Sequence, residues 1–262
     1  MSSAPFDIAR IRSSPSIAEI EHHAQIGSTS DRALELARQD ELNLPLLILA
    51  DQQTGGRGRG SNQWWAATGS LTFSLLIDSQ QFGIGSPKWP VLSLSTGLAI
   101  CEALEQIAPG GDFGVKWPND VYCAGRKICG ILIESPSAWR GRVIVGIGLN
   151  VNNSLTSAPP DVQALATSLI DYLERPLDMT GVLLNLLAAL QLRWRELGAV
   201  GFEPQVADFR RRCILDGRTI RVSSGPRLIT GRCLGIDDQG SLVLQTERGR
   251  EEIASGSVVS IQ

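Results

Sequence analysis

Apolar residues fall at every second position, Leu71, Phe73, Leu75 and Ile77, through the stretch Ser70 to Ile77. Strand side chains alternate between faces, so this spacing predicts a half-buried strand. Leu46 to Ala50 and Val143 to Leu149 are short unbroken apolar runs and read as buried strands. Lys127 to Glu134 is a further strand, following a turn at Ala124-Gly125. Helical spacing appears at Ala33, Leu34, Leu36 and Ala37, behind Gly27-Ser28-Thr29-Ser30-Asp31. A helix should therefore start near Ser28 as N-cap, with Asp31 completing a capping box. Trp89 to Ala108 is helical in pattern, with Gly97 as its weak point, and Leu165 to Leu197 is a helical region broken at Pro176 and Gly181.

Tight turns join the strands of the central region, which favours a largely antiparallel or mixed sheet with helices on one face over a doubly wound fold. Composition shifts near Phe202, and short strands follow at Arg218–Val222, Arg232–Ile236, Ser241–Gln245 and Val258–Ile261. The chain thus divides into residues 1–205 and a small β-barrel or sandwich over residues 206–262. Chemistry carried by residues 1–205 should survive loss of that small unit better than contact with a partner does.

At 262 residues and 43% hydrophobic, the chain can bury one sizeable core plus an appended unit. A net charge of -3 offers no general attraction to phosphate backbones or anionic membranes, so neither nucleic acid nor membrane is expected as partner. The start has no secretory apolar core and no stretch suits a membrane span, which indicates a cytoplasmic protein. Cys101, Cys123, Cys129, Cys213 and Cys233 are odd in number with no C-x-x-C pair, so they read as reduced thiols rather than disulfides or a metal site. The two histidines, His22 and His23, point to different sides, and no G-x-S-x-G elbow exists. Triad hydrolysis is thereby disfavoured.

The chemistry concentrates in a few motifs. Gly55 to Gly60 sets two arginines among four glycines, which suits a phosphate-handling flap but has neither P-loop nor dinucleotide order. Lys116-Trp117-Pro118-Asn119-Asp120 supplies a Lys–Asp pair around a proline. Lys127 begins an otherwise apolar strand, so its ammonium needs an anion. Gly146-Ile147-Gly148-Leu149-Asn150-Val151-Asn152 would let a ring lie against backbone. Phosphate-anchoring arginines, an embedded lysine and no protein nucleophile fit adenylation of a carboxylate, in which the ligand itself attacks.

These motifs, in this order, resemble the biotin–protein ligases: Gly27-Ser28-Thr29-Ser30, Gln53 to Arg59 with Trp64, Lys116 to Asp120, Lys127 with Gly130-Ile131-Leu132 and Glu134, and Gly146 to Asn152. The likeness covers residues 20–155, and Gly235-Ile236-Asp237 with Ser255-Gly256 resembles the family's SH3-like terminal domain. It implies an α+β fold of the class II synthetase-like biotin/lipoate ligase type, plus a C-terminal SH3-like β-barrel. It implies biotin and ATP as substrates, with magnesium accompanying the nucleotide and no resident metal. The protein partner would be the biotin carboxyl carrier protein of acetyl-CoA carboxylase or a related carboxylase, and the enzyme a monomer or homodimer. Ser28, Thr29, Ser30 and Gln53 would line the biotin head-group pocket. Arg57, Gly58 and Arg59 would close over biotin and the adenylate, with Gly130 and Gly148 beside the acid. Lys127 would bind the reacting carboxyl and α-phosphate, Lys116 would stabilise phosphate charge, and Asp120 would position the nucleotide or the incoming amine. Trp64, Asn119 and Asn150 would join Arg57, Arg59 and Lys116 on the ATP side. Catalysis would thus rest on Lys127, Arg59, Lys116 and Asp120.

Two departures stand out: Gly60-Ser61-Asn62 lacks the further arginine common after the loop, and Ser30 replaces an asparagine. Fewer than about 25 residues precede the first motif, too few for a DNA-reading domain, so a monofunctional ligase without repressor activity is expected. Lipoate–protein ligation and a non-catalytic biotin-sensing regulator are the alternatives.

Overall fold

The computed structural model describes residues 5–136 and 141–262. After α1 (Ile8–Arg12), β1 (Glu19–His23) leads to α2 (Thr29–Leu36), β2 (Leu46–Ala50) and β3 (Ser70–Asp78). Then come α3 (Trp89–Ile107), β4 (Phe113–Lys116), β5 (Asp120–Cys123), β6 (Arg126–Glu134) and β7 (Arg142–Asn150). The seven strands form one sheet in the order β1-β2-β3-β7-β6-β5-β4. Only β1 and β2 run parallel; every other neighbouring pair is antiparallel.

Helices cover both faces, not one. Leu47, Leu49, Leu71, Phe73, Leu75 and Ile77 join the main core, while Leu46, Ile48, Leu76 and Ile144 face Ala33, Leu36 and Ala37 of α2 across the sheet. For that reason β3 is buried along both faces from Ser70 to Ile77 rather than half-buried. Its Ser70, Thr72 and Ser74 look like solvent positions in the sequence, yet they are covered by α2 and by the loops beside it. Gly97 persists within α3 because a Cβ there would lie 3.2 Å from Val115 Cγ1, so the helix sits close on β4.

The later helices are α4 (Pro160–Leu165), α5 (Leu169–Leu173), α6 (Met179–Val200) and α7 (Glu203–Arg212). Gly181 does not break α6. A Cβ there would stand 2.8 Å from Asp178 Oδ2, so the glycine makes room for the N-cap side chain that accepts from Thr180 N–H. The terminal strands β8 (Thr219–Ser224), β9 (Arg227–Ile236), β10 (Leu242–Thr246), β11 (Gly249–Ile253) and β12 (Ser257–Ile261) form an antiparallel sheet in the order β11-β10-β9-β8-β12. No strand was expected at β11, whose Arg250, Glu251 and Glu252 suit an edge more than a core.

The two sheets share one apolar cluster. Ile220, Val222, Cys233, Ile236 and Leu244 belong to the same core as Phe113, Val115 and Leu215. Across the junction Ile214 N–H donates to Val115 O (3.1 Å), and the buried Trp117 donates Nε1–H to Gly240 O (3.1 Å). The five cysteines are free and buried, and burial pushes the thiols of Cys101 and Cys123 up to about 12 and about 11. Among the described residues no helix is long and apolar enough to cross a membrane.

Candidate active site

One cavity of about 640 Å³ opens between α2, the centre of the large sheet, the loop from Gln53 to Trp64 and the last strand. All the sequence-predicted site residues line it: Ser28, Thr29, Ser30, Gln53, Arg57, Gly58, Arg59, Trp64, Lys116, Asn119, Asp120, Lys127, Gly130, Gly148 and Asn150. Its charged lining comprises Arg57, Arg59, Lys116 and Lys127 against Asp120 and Asp161, so an acidic protein keeps a cationic cleft.

The closed end of the cleft is polar. Ser28 caps α2 by accepting from Asp31 N–H (3.3 Å), which turns the helix's free amides toward the cavity. The expected box is only half made, because the Asp31 carboxylate goes to Arg57 Nε, 2.7 Å away. Thr29 offers both its N–H (2.7 Å) and its hydroxyl (3.0 Å) to Gln53 Oε1. The buried Ser74 hydroxyl lies 2.8 Å from that of Thr29 and 3.1 Å from that of Ser30. Each hydroxyl has one proton, so the series Ser30, Ser74, Thr29, Gln53 can donate in a single direction. Gly146 leaves the space: a Cβ there would meet Ser30 Oγ at 2.6 Å.

The middle is built on β6 and β7. Trp64 lies flat over them, since a Cβ on Gly148 would fall 2.4 Å from Trp64 Cε2 and one on Gly130 would fall 3.4 Å from Cζ3. The ring lying against the glycine backbone is the protein's own. Lys127 Nζ stands 5.9 Å from the Trp64 ring centre and 2.6 Å from Asp120 Oδ1. The aspartate's partner is thus Lys127 rather than Lys116, its neighbour in the motif. Lys116 instead sits 5.6 Å over the Tyr122 ring and has no ion pair among the described residues. Burial lowers its pKa below the usual lysine range; Asp120 opposes that fall and Lys127 adds to it. Burial, helped by Asp120, pushes the Tyr122 phenol up to about 12.

Both asparagines assigned to the nucleotide side also hold the fold. The Asn119 side-chain amide donates to Ile131 O (2.8 Å), and its backbone carbonyl accepts from Ile131 N–H (2.9 Å). Asn150 donates to Thr167 O and accepts from Asn153, while Asn152 exchanges two bonds with the Leu177 backbone. Thr167 N–H in turn donates to Lys127 O. The loop itself is tied at several points: Arg57 to Glu134 and Asp31, Gly58 N–H to Asn62 O, Trp64 N–H to Gly56 O, and Arg59 to Gly256 O. Sequence reasoning missed Ser74, Tyr122, Leu165 and the β12 residues Ser257, Val258 and Val259, all at or beside the cleft. Ser74 had a trace in the text, as a hydroxyl opposite the alternating apolar row. The β12 residues had none.

A two-sheet α+β protein with a cationic cleft lined beside α2 by hydroxyls has the form of a carboxylate-activating ligase. The chain belongs to the biotin/lipoate A/B protein ligase family, matching it over residues 23–152, and matches the biotin protein ligase C-terminal domain over residues 217–259. It is 34% identical over 242 residues to the bifunctional ligase/repressor BirA of Bacillus subtilis, spanning 90% of this chain and 72% of that protein. It is 34% identical to the biotin–[acetyl-CoA-carboxylase] ligase of Mycobacterium tuberculosis, over 91% of this chain and 88% of that one. The solved biotin protein ligase of Aquifex aeolicus, in complex with biotin and ATP, superposes with a TM-score of 0.80 at 30% identity, covering 93% of this chain and 98% of that one.

Proposed function

We propose that this chain adenylates biotin with ATP and passes the biotinyl group to a lysine of the carrier domain of a biotin-dependent carboxylase. The observation that carries this reading is a cationic cleft lined by no histidine and no cysteine among the described residues, with its Thr29 and Ser30 hydroxyls bound into a chain. The attacking atoms must then come from the substrates, first the acid's carboxylate and then the carrier's amine. Thr29, Ser30 and Gln53 line the cleft with donors and acceptors that a ureido head group can use, whereas a dithiolane ring offers them no hydrogen-bonding partner. That disfavours lipoate.

The carboxylate oxygen attacks the α-phosphorus, pyrophosphate leaves, and negative charge builds beside Lys127, Lys116 and Arg59. In the second step the carrier's neutral amine attacks the acyl carbon and AMP leaves. Asp120, freed from Lys127 as that lysine turns to phosphate, is placed to hold the incoming amine. The cleft's carboxylates are Asp120 and Asp161, and no group of three His, Cys, Asp or Glu able to hold a bare cation occurs among the described residues. Magnesium would enter with the nucleotide, and Asp120, the carboxylate beside Lys127, would help to hold it. ATP as substrate and reduced thiols agree with work in the cytoplasm.

Biotin-dependent pyrophosphate release, followed by labelling of a carboxylase carrier fragment, tests the reading; activity with lipoate and none with biotin would overturn it. Trp64 serves the nucleotide side, so Gly148→Val, which drives the ring off β7, should raise the KM for ATP by about tenfold or more. An unchanged KM would leave Trp64 as packing only.

A further inference from the structure

Resting on the ligase reading, we propose that Glu134, assisted by Asp31, is a positioning residue: it holds Arg57 as the strut of the glycine–arginine loop, leaving Arg59 as the guanidinium that serves the ligand's anionic end. Arg57 Nη1 and Nη2 donate to the two Glu134 oxygens at 2.8 and 2.6 Å, and its Nε lies 2.7 Å from Asp31 Oδ1. The forked pair fixes the plane of the guanidinium, and the Asp31 carboxylate sets a second negative charge against it. The two carboxylates stand on separate elements, Glu134 at the end of β6 and Asp31 in the first turn of α2. Both elements are held by the core, so a side chain that bridges them is located in space.

What is located is more than one side chain. Arg57 pairs with Gln63 as an isolated antiparallel bridge, closed by Gly58 N–H to Asn62 O at 2.8 Å and Trp64 N–H to Gly56 O at 2.9 Å. The segment from Gly56 to Trp64 is therefore a small closed lobe, oriented by Arg57, with Arg59 and Trp64 carried on it. A Cβ on Gly56 would lie 2.7 Å from Trp64 O, which keeps the lobe tight. Charge divides the labour of the arginines. Arg57 is already faced by two carboxylates, so a phosphate brought to it would be a third anion around one cation. Arg59 forms no ion pair among the described residues and donates only to the Gly256 carbonyl, which an anion can replace.

Glu134→Gln tests this, because it keeps shape and removes the charge that grips Arg57. In the ligand-free protein, trypsin should cut after Arg59 about tenfold faster in the variant, with an unchanged near-ultraviolet spectrum. In the enzyme assay the KM for biotin should rise about tenfold while kcat for adenylation stays within about twofold. Arg57→Lys should reproduce both effects, since one ammonium cannot span a fork and a third oxygen. The double variant Arg57→Lys with Glu134→Gln should be no worse than either alone. Asp31→Asn, at an exposed position that leaves the core intact, should move cleavage in the same direction by less. Unchanged cleavage and KM in Glu134→Gln, or losses that add in the double variant, would overturn the proposal. The cleavage arm needs no substrate: a wild type that releases no pyrophosphate sinks the ligase reading and leaves the strut standing, whereas full ligase activity with unaltered cleavage sinks the strut alone.

Discussion

Replacing Lys127 by alanine is expected to slow acyl-adenylate formation at least about a hundredfold, a loss of about 3 kcal/mol in transition-state stabilisation. The effect has two parts that act at the same place. The lysine side chain, 31% exposed and with its ammonium beside the Trp64 ring, no longer meets the charge that gathers on the carboxyl and phosphate oxygens. At the same time Asp120, whose side chain is 19% exposed, keeps its negative charge with its 2.6 Å partner gone. The cleft is then less cationic by one unit where an anion must enter. Single-turnover pyrophosphate release measures the loss directly. A solvated lysine at a strand edge would change stability by less than about 0.5 kcal/mol and the rate hardly at all. A burst equal to that of wild type would remove Lys127 from the chemistry.

Truncation ahead of Arg212 should abolish both half-reactions together. Read from the sequence, the terminal strands form a separable unit, and adenylation should outlast transfer. The packing argues otherwise. Ile220, Val222, Cys233 and Leu244 share a core with Phe113 and Val115, and Trp117 in the Lys116–Asp120 turn bonds to Gly240. Removing the strands would uncover buried side chains worth about 1.5–3 kcal/mol each, enough in sum to exceed the stability of an ordinary domain. Arg59 would also lose Gly256, and the cleft would lose the wall made by Ser257, Val258 and Val259. The truncated protein should show helical far-ultraviolet signal with a collapsed near-ultraviolet spectrum. Native near-ultraviolet signal together with full adenylation would show that the strands serve only the carrier.

The readable parts of this protein were those whose cause is local. Leu46 to Ala50, the turn at Ala124-Gly125 and the cap at Ser28 each announce themselves within a few residues, and all three stand where the pattern placed them. The cleft was legible because its parts are motifs, short runs of glycine, arginine, lysine and hydroxyl. Partner choice was not legible. Asp120 pairs with Lys127 on the next strand rather than with Lys116, because a register shift between Val121 and Tyr122 decides which side chains meet across β5 and β6. The polar row on β3 was read as solvated, since nothing local says that α2 crosses to the far face. Gly181 was read as a break because its reason is the Asp178 side chain folded back over it. β12 carries no chemical signature at all, and its place in the cleft follows from tertiary packing alone.

The asparagines at and just beyond the end of β7 give the cleft a mechanical asymmetry. Asn150 and Asn152 stitch the strand to Thr167 and Leu177, and Thr167 is fastened to Lys127 on β6, so this side of the cleft is a single riveted plate. The facing side is built differently: the glycine-rich lobe is strutted by Arg57 to Glu134 and Asp31, and its tip meets the residue before β12 through one arginine-to-carbonyl bond. Admission of substrate and exit of product then fall to the contact between Arg59 and the end of the chain, the looser of the two sides, while Lys127 stays on the plate. Chemistry that depends on charges set a few ångströms apart is in this way insulated from the motion that loads it.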